Sequence, residues 1–127
     1  MTLNKPWEVY DSTAKRRIPG TLGVYELGNA AGDVVYIGFA GGKSRMGLRG
    51  EISARLQERP ADEPPDAAAC QYRYEVNMMY LTRYIELLER HQDAAGQLPP
   101  DNMRAGEYIP GPVLRRGRRL RASEEGE

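Results

Sequence analysis

The 127-residue sequence predicts an α/β (α+β) fold in which a small, three-stranded and mainly antiparallel sheet is flanked by helices. Two observations lead to this class. Short runs rich in β-favouring residues stand on either side of a glycine-containing turn early in the chain. Further along, apolar residues recur at helical spacing, then in alternation, then at helical spacing again, which indicates the order strand, strand, helix, strand, helix.

The first two predicted strands form a hairpin. Residues 21–27 and 34–37 are rich in Val, Tyr and other side chains that favour strands. Residues 28–33, between them, have the Gly, Asn and Asp content of a turn. Because the connection is short, we expect the two strands to pair in antiparallel fashion.

A helix is predicted over residues 48–58, where Leu48, Ile52 and Leu56 lie on one face. Residues 59–69 contain three prolines and are predicted to form a surface loop. In residues 70–76, apolar or aromatic side chains alternate with polar ones, as in a strand with one buried face. A second helix is predicted from about residue 78 to 91. Its expected inner stripe is Met78, Leu81, Ile85 and Leu88.

Composition and charge limit the possible functions. The formal net charge is zero, so the whole molecule is not a polycation, although arginines cluster between residues 115 and 121. No apolar run is long enough to span a bilayer, and no secretory signal is evident, so we expect no membrane association and a cytoplasmic location. Cys70 is the single cysteine, which excludes an internal disulfide and disfavours a zinc site.

Three regions are expected along the chain. Residues 1–20 form a polar lead-in segment, residues 21–106 form the domain, and residues 107–127 form an arginine-rich and then acidic tail.

The two hairpin strands contain the tripeptides Gly23-Val24-Tyr25 and Tyr36-Ile37-Gly38, separated by ten residues. Each tripeptide alone is common, but the pair at hairpin spacing, followed by a helix with arginines, is more specific. It resembles the paired Gly-Ile-Tyr and Tyr-Ile-Gly signature of the GIY-YIG nuclease family, with one Ile-to-Val change. The resemblance covers roughly the predicted domain, through Pro100 and Asn102, and implies a small mixed sheet and metal-dependent cleavage of a nucleic-acid backbone.

The resemblance assigns catalytic roles to Tyr25 and Tyr36. A tyrosine of the first motif activates water or receives its proton, and the second tyrosine lies in the same site. A phenol can orient a water molecule, and a metal ion can lower the pKa of that water. The alternative is that both tyrosines simply fill one face of a hairpin.

The resemblance also requires a phosphate-binding arginine in the first helix, where two residues qualify. Arg49 lies nearer the usual family distance from the second motif and is ranked first. Arg55 better matches the local apolar pattern. Helical geometry places the two on opposite sides of the apolar stripe, so one of them is expected to be an ordinary solvated side chain.

Glu86 is the expected ligand of Mg²⁺ (or Mn²⁺), because the resemblance places the metal-binding glutamate in the second helix. Magnesium often takes only one or two protein carboxylates and keeps several waters. Arg83 and Arg90 stand three before and four after Glu86, so ordinary helix-surface ion pairs are the competing interpretation. Glu89 is the alternative ligand.

Substrate-binding and supporting residues complete the candidate site. Gly38, Lys43 and Arg49 are candidate substrate-binding residues, although the spacing of Gly38 and Gly42 does not match a nucleotide-binding P-loop. Gly23 and Asn102 are supporting residues, with Asn102 resembling the asparagine that closes the family domain. A histidine that many family members carry one turn after the arginine is missing, because Ser53 and Arg59 occupy those positions.

Three functions are compatible with these observations. The first is a metal-dependent endonuclease acting on nucleic acid, with DNA the expected substrate and a protein partner a possible source of specificity. The second is a GIY-YIG-like module that binds nucleic acid without cutting it. The third is a protein-interaction domain. Metal-dependent cleavage separates the first from the others, and salt-sensitive binding separates the second from the third.

Overall fold

The computed structural model describes residues 3–11, 13–57, 69–104 and 106. Within these ranges the chain forms a mixed α+β structure of one sheet and several helices. The strands are β1 (Glu8–Val9), β2 (Gly23–Gly28), β3 (Val34–Ala40) and β4 (Gln71–Val76). The helices are α1 (Ala14–Arg17), α2 (Gly47–Gln57), α3 (Tyr80–Ala95) and α4 (Pro100–Arg104).

The sheet has the order β1-β4-β2-β3, and every neighbouring pair is antiparallel. The predicted hairpin is confirmed, since β2 pairs with β3 and Tyr25 stands opposite Gly38. The predicted number of three strands is wrong. The fourth strand, β1, pairs with β4 and is only two residues long, which is too short to show an alternating pattern in the sequence.

The first face of the sheet is covered by α1 and α2. The predicted stripe of Leu48, Ile52 and Leu56 is buried there, as expected. Tyr25 and Tyr36 belong to the same cluster. This packing holds α2 against the hairpin that carries both sequence motifs.

The second face is covered by α3. Leu87 and Leu88 are fully buried and pack in a cluster with Val24 and Ile37. The predicted inner stripe is wrong at its beginning, because Met78 is 83% exposed and Leu81 is 51% exposed. The helix starts only at Tyr80, and Tyr80 and Tyr84 take the sheet-facing positions of its first turns.

The segment before residue 21 also packs on the sheet. Leu3 is buried in the α3 cluster, and Ala14 and Ile18 are buried in the α2 cluster. The predicted tail, residues 107–127, and the predicted loop up to residue 68 lie outside the described residues. Among the helices of the described ranges, none has both the length and the apolar character that crossing a bilayer requires.

Candidate functional site

Tyr25, Tyr36 and Gly38 come together on the α2 face of the hairpin. Their register explains the contact: Gly38 stands opposite Tyr25, and Tyr36 precedes Gly38 by two residues on the same face. The two tyrosine rings lie 6.1 Å apart between centroids. A Cβ at position 38 would lie 2.5 Å from the Tyr25 hydroxyl oxygen. Any residue larger than glycine at this position would therefore overlap the Tyr25 side chain.

These residues form part of an open cleft of about 660 Å³ at the β3 edge of the sheet. The cleft lies between α2 and the first turns of α3. Aromatic and polar side chains dominate its lining, together with the glycines that follow β3. The lining residues are Tyr25, Tyr36, Gly38, Phe39, Gly41, Gly42, Lys43, Ser44, Glu51, Arg55, Tyr80, Leu81 and Tyr84.

The structure places Arg55, rather than Arg49, at this cleft. The guanidinium carbon of Arg55 lies 4.0 Å from the centroid of the Tyr36 ring, in a cation–π arrangement. The Nε of Arg49 donates to the Ile18 carbonyl at 2.8 Å, which ties α2 to the chain just after α1. This geometry does not support the ranking of Arg49 first. The distance of Arg49 from the second motif in the sequence could not reveal that its side chain binds the Ile18 carbonyl.

Glu51 is a cleft residue that the sequence analysis missed. Its Oε2 accepts a hydrogen bond from the Ser44 hydroxyl at 2.9 Å, and the same hydroxyl oxygen accepts one from the Gly41 amide at 3.1 Å. Glu51 precedes Arg55 by four residues, so both side chains lie on the same side of α2. That spacing was the available signal in the sequence.

Glu86 does not line the cleft. Its two carboxylate oxygens are bound by Arg83 at 2.6 Å and Arg90 at 3.0 Å, and its side chain is 42% exposed. These are the helix-surface ion pairs that the sequence spacing of Arg83, Glu86 and Arg90 predicts as the competing interpretation. Glu89, the alternative ligand, is also absent from the cleft lining. Glu86 therefore does not fit the metal-binding role that the resemblance implies.

No cluster of three or more His, Cys, Asp or Glu side chains suited to a metal ion occurs within residues 3–11, 13–57, 69–104 and 106. In the cleft, an oxygen of the Glu51 carboxylate lies 2.9 Å from the Ser44 hydroxyl oxygen. Carboxylate and hydroxyl oxygens are chemically suited to Mg²⁺.

Lys43 lies at the mouth of the cleft, in the glycine-containing turn after β3, and is exposed. The neighbouring Gly42 amide donates to the Tyr80 hydroxyl oxygen at 3.2 Å. That hydrogen bond connects the turn to the start of α3. Lys43 and Arg55 thus supply two positive charges to one opening.

The two supporting residues have backbone roles. The Asn102 side chain accepts from the Ile37 amide at 2.8 Å and donates to the Ile37 carbonyl at 2.9 Å. Asn102 is fully buried and belongs to α4, which covers the edge strand β3. Gly23 lies where β2 meets β4, and a Cβ there would overlap the Glu75 carbonyl oxygen.

The opposite face of the hairpin holds a buried ion pair. Glu26 is fully buried in β2 and accepts from the Arg73 Nε at 2.8 Å and from the Leu3 amide. Burial raises the pKa of the Glu26 carboxyl, and Arg73 opposes the shift. The Arg73 guanidinium also stacks on Trp7 at 3.9 Å. This network fastens the N-terminal segment to the sheet and lies outside the cleft.

The fold and this site define a mixed α+β protein with an aromatic and basic cleft at one edge of its sheet. Residues 1–94 match the family described as a domain of unknown function (DUF7508), and the chain belongs to that family. The match includes the whole sheet and nearly all of α3, and it ends before α4. No curated protein and no solved structure matches the chain.

Proposed function

We propose that this protein binds a nucleic-acid strand in the cleft at the β3 edge, with Arg55 and Lys43 contacting phosphate. The observation that carries the proposal is the position of Arg55, whose planar cation lies over the Tyr36 ring in an open cleft. A guanidinium held in this way can donate two parallel hydrogen bonds to a phosphate. The stacked ring restrains the orientation of the guanidinium and leaves its charge in place.

The sequence motifs support the same proposal. Tyr25, Tyr36 and Gly38, which carry the resemblance to GIY-YIG nucleases, all line this cleft. Arg55 enters it from the helix in which the resemblance expects a phosphate-binding arginine. Binding is proposed ahead of cleavage because Glu86, the expected metal ligand, is held by two arginines outside the cleft.

Metal-dependent cleavage of the strand, with DNA as the expected substrate, is the second candidate. It is favoured by Glu51, a carboxylate in the same cleft as Tyr25, Tyr36 and Arg55. Glu51, with Ser44 beside it, would hold Mg²⁺ or Mn²⁺ in place of Glu86. A bound metal ion would lower the pKa of a water molecule. Tyr25 would then be the phenol that orients that water.

Binding is tested by fluorescence anisotropy of a labelled single-stranded oligonucleotide with the unaltered chain, Arg55→Gln and Arg90→Gln. Arg90 is a matched control, because it is an exposed arginine on α3 whose loss removes the same charge outside the cleft. We expect Arg55→Gln to weaken binding about tenfold, equivalent to ~1.4 kcal/mol for a lost charge-assisted contact. Arg90→Gln should have little effect. Equal effects of the two substitutions would argue against the cleft, and the absence of binding would overturn the proposal.

Cleavage is tested on linear, nicked, flapped and branched DNA with Mg²⁺, Mn²⁺ or EDTA. Metal-dependent nicking that is lost in Glu51→Gln and retained in Glu86→Gln would establish the second candidate and place its metal site. Nicking lost only in Glu86→Gln would indicate that the metal ion binds at Glu86 on α3. If no substrate is cut while binding persists, the protein is a binding module.

A further inference from the structure

Three aromatic side chains from β3 and α3 line the cleft, whereas Arg55 and Glu51 enter it from α2. This aromatic wall consists of Phe39 from β3 and of Tyr80 and Tyr84 from α3. The Phe39 and Tyr80 rings are stacked, with centroids 5.7 Å apart and planes 18° apart. Tyr84 meets Phe39 edge-on at 4.8 Å. Phe39 therefore contacts both tyrosine rings, and the three side chains form one aromatic cluster.

The side chains of the aromatic wall are only partly buried in the hydrophobic core. Each of its three residues is half-buried and packs at the margin of the α3 cluster, whose fully buried members are aliphatic. Tyr80 and Tyr84 are one helical turn apart, so both face the cleft. Leu81, the residue after Tyr80, also lines the cleft and is 51% exposed.

We propose that the aromatic wall holds one unstacked base of an unpaired nucleic-acid strand whose phosphate is bound by Arg55. This inference rests on the proposed function and names its substrate class: single-stranded or locally unpaired nucleic acid. Aromatic side chains beside basic residues are the usual means of binding single strands, because every base has a face that can stack. A base within a duplex is stacked and paired, so stacking on the aromatic wall would require it to leave the helix.

The cleft has the composition that a single nucleotide requires. Its volume of about 660 Å³ lies within the range of small-molecule sites. The cations Arg55 and Lys43 suit the phosphate, and the aromatic wall suits the base. The Glu51 carboxylate can accept hydrogen bonds from a base amino group or a sugar hydroxyl.

The test compares three ligands of equal length with the unaltered chain: oligothymidylate, the same oligonucleotide with abasic sites throughout, and a duplex. The abasic strand keeps its phosphates and lacks bases. We expect oligothymidylate to bind about tenfold more tightly than the abasic strand (~1.4 kcal/mol), because the abasic strand has no base to stack on the aromatic wall. Tyr80→Ala should lower thymidylate affinity towards the abasic value, while Tyr80→Phe should retain most of it because the ring remains.

A second readout reports the stacking itself. An oligonucleotide carrying one 2-aminopurine should lose emission on binding the unaltered chain and Tyr80→Phe, and much less on binding Tyr80→Ala. The abasic comparison needs only the unaltered chain, so it decides whether bases contribute to binding even if Tyr80→Ala lowers stability. Circular dichroism of each variant reports that stability.

The outcomes separate this inference from the proposed function. Equal affinity for thymidylate and abasic strands, or tighter binding of the duplex, would overturn the aromatic wall as a base site and leave phosphate binding by Arg55 standing. If none of the three ligands binds, the proposed function fails and the inference fails with it.

Discussion

At the scale of single residues, the structure depends on a few polar side chains that satisfy buried groups. Asn102 provides both a donor and an acceptor to the Ile37 backbone, much as a neighbouring strand would. Because β3 is an edge strand, this amide occupies hydrogen-bonding positions that would otherwise be open. Asn102 thereby supports the strand that carries Tyr36 and Gly38.

Replacing Asn102 tests this role. In Asn102→Ala, the buried Ile37 amide and carbonyl both lose their partner, so we expect a loss of about 2–4 kcal/mol in the free energy of unfolding. Met103→Ala is the matched control, since Met103 is the adjacent residue of α4 and is 47% exposed. Urea denaturation of both variants measures the difference. Similar stabilities for the two would show that the Ile37 groups find other partners.

Glu26 predicts a pH dependence of stability. Burial raises its pKa in the folded chain above the ordinary 4.5, although Arg73 opposes the shift, so the folded state binds more protons than the unfolded chain. The resulting stabilisation is fully present below pH 4.5 and is lost as the pH rises through the folded pKa. In Glu26→Gln this loss should disappear.

The measurement is the free energy of unfolding of both chains across this pH range. Glu75 contributes with the opposite sign, because Asn77 and Arg83 outweigh its burial and lower its pKa. That contribution is common to both chains and cancels in the comparison. Parallel pH profiles for the two would contradict the assignment to Glu26.

At the scale of elements, the start of α2 controls where Glu51 and Arg55 lie. Gly47 begins this helix with φ +56°. A Cβ at this position would lie 2.5 Å from the Gly20 carbonyl carbon and from the Thr21 amide nitrogen. The close approach of these two segments therefore depends on glycine.

We expect Gly47→Ala to lower the free energy of unfolding by about 1–3 kcal/mol, since a non-glycine residue is strained at this φ and the new methyl group meets backbone. Gly42→Ala is the control, because a Cβ there would have no atom within 4 Å. Its effect should stay within about 0.5 kcal/mol. Thermal or chemical denaturation distinguishes the two, and equal stabilities would show that α2 begins differently in solution.

At the scale of the whole molecule, a net charge of zero makes the proposed nucleic-acid binding depend on local groups of cations. Among the residues that the structure describes, Lys43 and Arg55 are the two cations that line the cleft. Neutralising two phosphates of a single strand gives a slope of roughly −1.4 in log affinity against log salt. The arginines of residues 115–121 add a second basic group in the sequence.

Salt dependence therefore separates the cleft from the tail. We expect a steeper slope for the full chain, and a slope of roughly −1.4 when each tail arginine is changed to glutamine. The affected residues are Arg115, Arg116, Arg118, Arg119 and Arg121. Anisotropy titrations at several salt concentrations measure both slopes. An unchanged slope would show that the tail takes no part in binding.

Local patterns allowed much of the fold to be predicted. Leu48, Ile52 and Leu56 lie on one helical face, and the runs around Tyr25 and Tyr36 favour strands, so the α2 packing and the hairpin followed from the sequence. The two-residue β1 has no such pattern. Its place in the sheet depends on pairing with β4, more than sixty residues later in the chain.

The candidate site, like the fold, could be predicted from the sequence only in part. The hairpin register determined that Tyr25, Tyr36 and Gly38 share one face, because side chains alternate along a strand and the turn sets the pairing. Spacing along a helix could not choose between Arg49 and Arg55, nor bring Glu51 and the aromatic wall together. Those positions depend on how α2 and α3 pack on the sheet, and such long-range contacts leave no periodic trace in the sequence.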